Sequence, residues 1–116
     1  AKTLFPYTTL FRSVSLHCNA ANAIARGTEI CVYRIGGEAE RLAGCILHQI
    51  INAVGTKNRG TKERPDLCVL RRTDMPAVLI EMAFIDNDSD ARILRDRQDD
   101  LARAIARGIT DYEMEE

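Results

Sequence analysis

The sequence predicts an α/β fold in which a mostly parallel sheet is flanked by helices. Two observations indicate this class. Short segments rich in β-branched residues alternate along the chain with helical patterns. The run Val78–Ile80 is continuously apolar, which is typical of a strand buried on both faces. The chain has 116 residues, enough for one small domain with a modest core.

The first third of the chain predicts two strands separated by a loop. Val14–His17 reads as a short strand, and the small and polar residues of Asn19–Gly27 favour a loop. Glu29–Tyr33 is rich in β-formers and predicts a second strand. Gly36 and Gly37 then break the chain before a helix.

That helix has the clearest pattern in the sequence. Its apolar residues recur at helical spacing and form one stripe: Ala39, Leu42, Ala43, Ile46, Leu47, Ile50, Ile51 and Val54. Glu38 and Glu40 lie in the first turn, where negative charge suits the helix dipole. Gly55 is expected to end the helix.

The second half predicts a loop, two strands and two helices. Residues 56–66 contain Gly60, Pro65 and several charges, which indicates a loop. Leu67–Leu70 and Ala77–Ile80 are expected to be strands.

Two helices are predicted to close the chain. Asn87 or Asp88 is expected to cap a helix over about 89–97. The last helix is expected over about 99–112. Its apolar face is formed by Leu101, Ile105, Ile109 and Tyr112.

Composition excludes several classes of function. The net charge is −1, so nothing indicates bulk electrostatic binding to nucleic acid or to anionic membranes. No stretch is long and apolar enough to predict a membrane span. The start of the sequence has no export-signal pattern. Oligomeric state is not indicated by any pattern.

The four cysteines, at 18, 31, 45 and 68, form no Cys-x-x-Cys pair and no zinc-finger spacing. Three of them lie inside apolar runs, where a free thiol behaves as a small hydrophobe. This favours reduced thiols over a disulfide framework.

Glu81 is the candidate catalytic residue because it interrupts an apolar run. A buried carboxylate is costly unless it is paired, protonated or near a metal. It is therefore either a functional carboxylate or half of a buried ion pair with an arginine such as Arg71 or Arg72. His17 also closes a predicted strand, and ligands gather at the carboxyl ends of strands in such sheets. His17 is thus a candidate ligand, or else a hydrogen-bonded structural histidine.

Two further features of the sequence concern an exposed basic segment and a second histidine. Asn58–Lys62 reads as an exposed basic loop that is either solvated charge or a holder of an anionic or carbonyl-rich substrate. In the second interpretation Gly60 allows close backbone approach. His48 lies off the apolar stripe of its helix and is expected to face water.

Four segments together resemble a known family. In chain order they are Ser15–Ala20 (SLHCNA), Arg59–Lys62 (RGTK), Val69–Arg71 (VLR) and Pro76–Asn87 (PAVLIEMAFIDN). They are similar to motifs of the zinc-dependent N-acetylmuramoyl-L-alanine amidases of bacterial cell walls and phage endolysins, the amidase-3 type. The similarity covers about residues 14–112.

The resemblance implies an activity, a cofactor and site residues. Family members cut the amide between N-acetylmuramic acid and L-alanine in peptidoglycan, which places the action at the bacterial cell wall, outside the cytoplasm. Zinc is held by a His-Glu-His set, whose last histidine matches His17, and the catalytic glutamate matches Glu81. Asn19 and Arg59 are the candidates for orienting ligand or substrate.

The resemblance stops before Val14. The family's first histidine and its glutamate ligand are not found, and residues 1–13 contain no histidine or acidic residue. We therefore expect a non-family leader over 1–13, with a junction artefact over 3–13, and a truncated catalytic domain over 14–116. The first strand and helix of the sheet are expected to be missing, which leaves exposed apolar surface and an unpaired edge. An alternative is a non-catalytic amidase-like module that binds peptidoglycan or a protein partner.

Overall fold

A computed structural model describes residues 12–71 and 75–115 of the chain. The strands are β1 (Ser13–Asn19), β2 (Thr28–Val32), β3 (Asn58–Glu63) and β4 (Ala77–Phe84). The helices are α1 (Glu38–Val54), α2 (Cys68–Arg71), α3 (Asp88–Asp96) and α4 (Gln98–Met114). Nearly all of the expected leader, including residues 3–11 of the hypothetical junction, lies outside the described residues.

The four strands form one mixed sheet in the order β1-β4-β2-β3. β1 runs parallel to β4 and β2 runs parallel to β3, while β2 and β4 are antiparallel. Two of the three strand pairs are thus parallel, and helices flank the sheet, which confirms the predicted α/β class.

The main core lies between one face of the sheet and the helices α1 and α4. β2 and β4 direct alternate apolar residues onto this face, where they meet the stripe of α1. The fully buried members of this cluster include Ile30, Val32, Leu42, Ala43, Ile46, Ile50, Val78, Ile80 and Tyr112. A smaller cluster covers part of the opposite face. It consists of Cys31, Leu70, Ala77 and Leu79, with Tyr33 and Leu67 packed against it.

The helix ends follow the sequence signals. Gly55 ends α1 in the left-handed conformation at φ 69°, and its N–H donates to the carbonyl of Ile51. The side chain of Asn87 caps α3 by accepting from the N–H of Asp90 at 3.1 Å. Both predicted boundaries are confirmed. None of the helices in the described residues combines the length and apolarity needed to cross a bilayer.

The loop predicted over residues 56–66 is wrong, because Asn58–Glu63 forms the edge strand β3. Its side chains are polar and largely exposed, so the sequence carries no alternation of apolar residues. Backbone pairing with β2 creates the strand, and a register shift falls between Thr28 and Ile30. Opposite this shift Gly60 has φ 81°, a conformation that glycine adopts without strain.

The strand predicted at Leu67–Leu70 is also wrong, because Cys68–Arg71 forms the short helix α2. Leu67, the residue before the helix, accepts from the N–H groups of Leu70 and Arg71, and this turn packs Leu67 and Leu70 against the same core cluster. Cys68 and Val69 are exposed between them. An alternating strand would instead have turned Leu67 and Leu70 to opposite faces.

All four cysteines are free thiols, as expected. Cys31 is buried in the smaller core cluster and fits the description of a small hydrophobe. Cys18 and Cys68 are exposed, which contradicts that description for these two positions.

β1 lies at the edge of the sheet and pairs, within the described residues, with β4 alone. Leu16 on this strand is 55% exposed. The expectation that a first strand and helix of the sheet are missing stays a prediction.

The two long helices are in close backbone contact at Gly108. A Cβ atom at this position would lie 2.4 Å from the Cα of Ile46, which no side chain rotation relieves. We expect Gly108→Ala to lower the free energy of unfolding by about 2 kcal/mol, because α1 and α4 would have to separate. Gly44 on α1 has open space around its Cβ position and is the matched control.

Gly44→Ala should raise the free energy of unfolding by about 0.5–1 kcal/mol through helix propensity. Urea unfolding followed by circular dichroism measures both variants. Equal effects of the two substitutions would contradict the close helix contact.

Candidate active site

The register of three neighbouring strands places one histidine and two glutamates side by side. His17 on β1 is opposite Glu81 on β4, and Glu81 is opposite Glu29 on β2. Residues opposite each other in adjacent strands direct their side chains to the same face. The row His17–Glu81–Glu29 therefore lies on the face that α1 and α4 do not cover.

Neither His17 nor Glu81 ends its strand, which corrects the sequence prediction. β1 continues to Asn19 and β4 continues to Phe84. The apolar residues Ala83 and Phe84 follow Glu81 in the same strand and are buried. The two residues are neighbours through lateral register and do not share a strand terminus.

A cavity of about 220 Å³ lies over this row and is called here the His17–Glu81 pocket. Its lining residues come from β1, β2, β4 and the connection between β3 and α2: His17, Asn19, Glu29, Cys31, Arg64, Leu67, Leu79 and Glu81. The pocket combines an imidazole, two carboxylates, a thiol and a guanidinium in a small volume.

The environment of Glu81 shifts the pKa of its carboxyl group upward. Burial raises the pKa of the Glu81 carboxyl above its usual range, and the nearby charge of Glu29 raises it further. His17 and Arg64 act in the opposite direction but do not cancel the effect of burial. A raised pKa strengthens a carboxylate as a proton acceptor, which suits a general base.

The ion-pair alternative for Glu81 receives no support from the described residues. Within residues 12–71 and 75–115, Glu81 makes no ion pair with Arg71, and Arg72 lies outside those ranges. Of the two glutamates that line the pocket, Glu29 is the one that pairs with an arginine in the described residues. Its Oε1 atom accepts from the Nε of Arg59 at 2.8 Å.

Arg59 lies on β3 and not in a loop. Besides its contact with Glu29, its guanidinium stacks over the ring of Phe84 at 5.0 Å and donates to the carbonyl of Arg26 at 3.3 Å. Arg59 does not line the His17–Glu81 pocket. It contacts that pocket through Glu29.

Asn19 lines the pocket, two residues beyond His17. Its carbonyl accepts from the N–H of Ile85 at 2.8 Å, which joins β1 to the residue after β4. Its side-chain Oδ1 accepts from the N–H of Ala20 at 3.0 Å. These bonds fix the start of the loop that follows β1.

Carboxylates from the β4–α3 region hold the loop 20–27 beside the pocket. The Oδ2 atom of Asp86 accepts from the N–H groups of Ala21 and Ala23. The Oδ2 atom of Asp90, a buried residue, accepts from the N–H of Gly27 at 2.7 Å and of Phe84 at 2.9 Å. This clamp connects the loop after β1 to the end of β4.

His48 is exposed on α1, as predicted, and its Nε2 lies 3.1 Å from the Nδ2 of Asn52. It borders a different cavity, on the side of α1 and α4. Across the ranges that the structure describes, no three His, Cys, Asp or Glu side chains are placed to hold one metal ion.

Five lining residues of the pocket were not predicted from the sequence: the apolar Leu67 and Leu79, and the chemically functional Glu29, Cys31 and Arg64. The last three matter for chemistry. A signal for the two on β2 was present, because period 2 in the strand after Gly27 puts Glu29 and Cys31 on one face and the core residues Ile30 and Val32 on the other. Arg64 had no such signal, since its position depends on β3, which the sequence did not predict.

Comparison with known proteins assigns the family. A family model described as N-acetylmuramoyl-L-alanine amidase, Amidase_3, matches residues 11–111. The chain belongs to this family. The sequence resemblance is thereby confirmed.

The relatives of this chain include an uncharacterised protein, an endolysin and an amidase. An uncharacterised protein of Clostridium perfringens is 43% identical over 79% of this chain and 28% of its own length. The endolysin of Bacillus phage SPP1 is 36% identical over 84% of this chain and 38% of its own length. The CwlD amidase of Clostridioides difficile, solved in complex with the GerS lipoprotein, is 28% identical, with a TM-score of 0.86 over 99% of this chain and 60% of that structure's chain. The chain thus spans less than two thirds of the length of each of these relatives.

The clamp at Asp90 predicts a large stability effect from one substitution. Asp90→Ala leaves the N–H groups of Gly27 and Phe84 without their acceptor, so we expect a loss of about 2–4 kcal/mol in the free energy of unfolding. Asp88→Ala, at an exposed position in the same helical turn, should cost about 0.5 kcal/mol. Chemical denaturation of both variants checks this, and similar losses would contradict the clamp.

The raised pKa of Glu81 predicts a pH-dependent stability difference. The folded protein holds the Glu81 proton more tightly than the unfolded chain, so ionisation costs stability as pH rises from the unfolded pKa through the folded pKa. Glu81→Gln removes this cost. We expect the stability of Glu81→Gln relative to the unsubstituted protein to increase through that window and to stay constant above it, in urea titrations with a chelator present.

Glu38 supplies a control of opposite sign. The hydrogen bond from the Tyr112 hydroxyl, at 2.8 Å, and the neighbouring Arg41 lower the pKa of Glu38. Glu38→Gln should therefore lose stability relative to the unsubstituted protein above the unfolded pKa, and the difference should vanish as pH falls through the folded pKa. A pH-independent difference for Glu81→Gln would refute the assigned environment of Glu81.

Proposed function

We propose that residues 14–116 are part of an amidase catalytic domain that hydrolyses the amide between N-acetylmuramic acid and L-alanine in peptidoglycan. The observation that supports this most strongly is the His17–Glu81 pocket. It joins the two residues that the family motifs mark for chemistry, on adjacent strands and in register. Action on peptidoglycan places the protein at the cell wall, outside the cytoplasm.

Glu81 is proposed as the general base and then the general acid. Its carboxylate takes a proton from the attacking water, whose oxygen bonds to the muramoyl carbonyl carbon. Glu81 then returns this proton to the alanine nitrogen as the carbon–nitrogen bond breaks, so that a carboxylic acid and a free amine are formed. Burial and the neighbouring Glu29 favour the proton-holding form that the second step needs.

Zinc is the cofactor that the family resemblance implies, and His17 is proposed as one of its ligands. A catalytic zinc needs three protein ligands, and the described residues contain no group of three candidate ligand side chains around His17. They therefore do not fit a complete zinc site. We therefore assign no step to the metal. We propose that the other zinc ligands belong to a longer protein that contains this chain and has the length of the relatives. We also propose that residues 1–116 alone have little activity.

Asn19 and Arg59 are proposed to orient the substrate in different ways. Asn19 lines the pocket and can contact the substrate directly. Arg59 holds Glu29 by an ion pair that is partly shielded from solvent, so it orients a carboxylate of the pocket.

The alternative is a module that binds peptidoglycan, or a protein partner, without cutting it. The observation that favours it is the lack of a three-ligand metal cluster in the described part of the chain. Hydrolysis by a longer protein that contains this chain separates the two proposals.

The test is an assay for new amino groups released from purified peptidoglycan, using a longer protein that carries this chain. We expect Glu81→Gln to lower the rate by at least about 100-fold, since general acid–base catalysis contributes factors of 10²–10⁴. Glu115→Gln, at an exposed position on α4's C-terminal side, is the control and should retain the rate.

Three outcomes have distinct meanings. Hydrolysis that depends on Glu81 and on added zinc supports the amidase proposal. Full activity in Glu81→Gln contradicts the role of Glu81. Binding to peptidoglycan without amine release, in the longer protein loaded with zinc, supports the non-catalytic module.

A further inference from the structure

One end of the His17–Glu81 pocket is not used by the proposed hydrolysis. Cys31 and Leu79 are buried at its base, two residues along their strands from Glu29 and Glu81. Leu67 and Arg64, from the connection between β3 and α2, form the wall at this end. Arg64 is a basic residue in a pocket that also holds two carboxylates, and the proposed hydrolysis gives it no role.

Arg64 is fixed at its backbone and adaptable at its guanidinium. Its N–H donates to the carbonyl of Val32 at 2.7 Å, which anchors the residue at the end of β3. Its Nε and Nη2 atoms bind the two carboxylate oxygens of Asp66 at 3.0 and 2.9 Å. Both side chains of this pair are about half exposed, and such pairs contribute little stability. An anionic ligand can therefore compete for the guanidinium at low cost.

The pocket contains charged groups of both signs. Glu29 and Glu81 lie opposite each other on β2 and β4, and the backbone of Arg64 is anchored at Val32, three residues further along β2. Glu29 is paired with Arg59, so the guanidinium of Arg64, whose exposed pair with Asp66 is weak, is the group that attracts an anion into this pocket. A ligand that carries a carboxylate a short distance from its scissile amide matches this arrangement.

The volume limits what can enter. About 220 Å³ is below the roughly 300 Å³ at which pockets for drug-sized ligands begin, so part of a peptide fits but a glycan strand does not. The muramoyl group must then lie outside the pocket, and the peptide side of the scissile amide lies within it.

We propose that Arg64 recognises a carboxylate on the residue that follows alanine in the peptide part of the substrate. This inference rests on the proposed function, because it assumes that the alanine nitrogen lies near Glu81. The guanidinium fork of Arg64 exchanges Asp66 for the substrate carboxylate and forms paired N–H···O bonds with it. Arg64 is then a specificity residue that prefers a free carboxylate over a neutral carboxamide at this position.

The test compares two dipeptides that differ only in this group. One is L-alanyl-D-glutamate, joined through the side-chain carboxyl so that the α-carboxylate is free, and the other carries a carboxamide in its place. Binding to this chain is followed by NMR titration of backbone amides. We expect the carboxylate form to bind about tenfold more tightly, the order typical of a hydrogen-bonded charge pair.

Variants separate recognition from folding. Arg64→Gln should remove the preference, and Arg64→Lys should retain part of it, because the charge stays while the fork is lost. Asp66→Asn removes the internal competitor and should strengthen binding of the carboxylate form. Arg95→Gln is the matched control, since Arg95 makes a comparable exposed pair with Asp96 on α3 and should leave both affinities unchanged.

The proposal is overturned if the unsubstituted chain binds both dipeptides equally, if neither binds, or if Arg64→Gln keeps the preference with a native amide spectrum. These results concern binding and leave the hydrolytic role of Glu81 standing. Conversely, a Glu81→Gln protein that still hydrolyses peptidoglycan refutes the proposed chemistry without changing the Arg64 result.

Discussion

The candidate site depends on the register of one strand, β4, between its two neighbours. Glu81 lies opposite His17 on one side and Glu29 on the other. Because side chains alternate along a strand, a slip of one residue would turn Glu81 into the helix-covered core and expose an apolar neighbour in its place. The cost of burying an uncompensated carboxylate there makes the observed register the favourable one.

The core enforces this register from the opposite face. Ile30 and Ile80 are opposite each other in β2 and β4, and both are fully buried under α1. Thr28 adds a polar constraint: its hydroxyl donates to the carbonyl of Met82 at 2.8 Å and lies 2.6 Å from the hydroxyl of Thr56. Since these groups are buried, a shifted register would leave them without partners. Packing on one face thus positions chemistry on the other.

The parts of the fold that were predictable are those in which local pattern and tertiary contact agree. The stripe of α1 predicted both its extent and its buried face, and the apolar run before Glu81 predicted the centre of β4. β3 was not predictable because an edge strand with polar side chains is created by backbone pairing and not by its own composition. α2 was misread because four residues are too few to show a period.

The site was predictable to the extent that a residue violated its surroundings. Glu81 stands out because a charge interrupts an apolar run, and the family motifs then associate it with His17. The period of β2 puts Glu29 on the face opposite the core, but only the antiparallel pairing of β2 with β4 brings it beside Glu81. Arg64 likewise acquires its position from the turn after β3. Long-range pairing cannot be read from a short window of sequence.

The central claim is that His17 and Glu81 direct their side chains into one shared pocket. The most direct measurement is a nuclear Overhauser experiment on the isotopically labelled, metal-free chain. The structure predicts cross-peaks between the imidazole carbon protons of His17 and the side-chain protons of Glu81. Cross-peaks from the His17 ring to the core residues Val78 or Ile80, with none to Glu81, would contradict it.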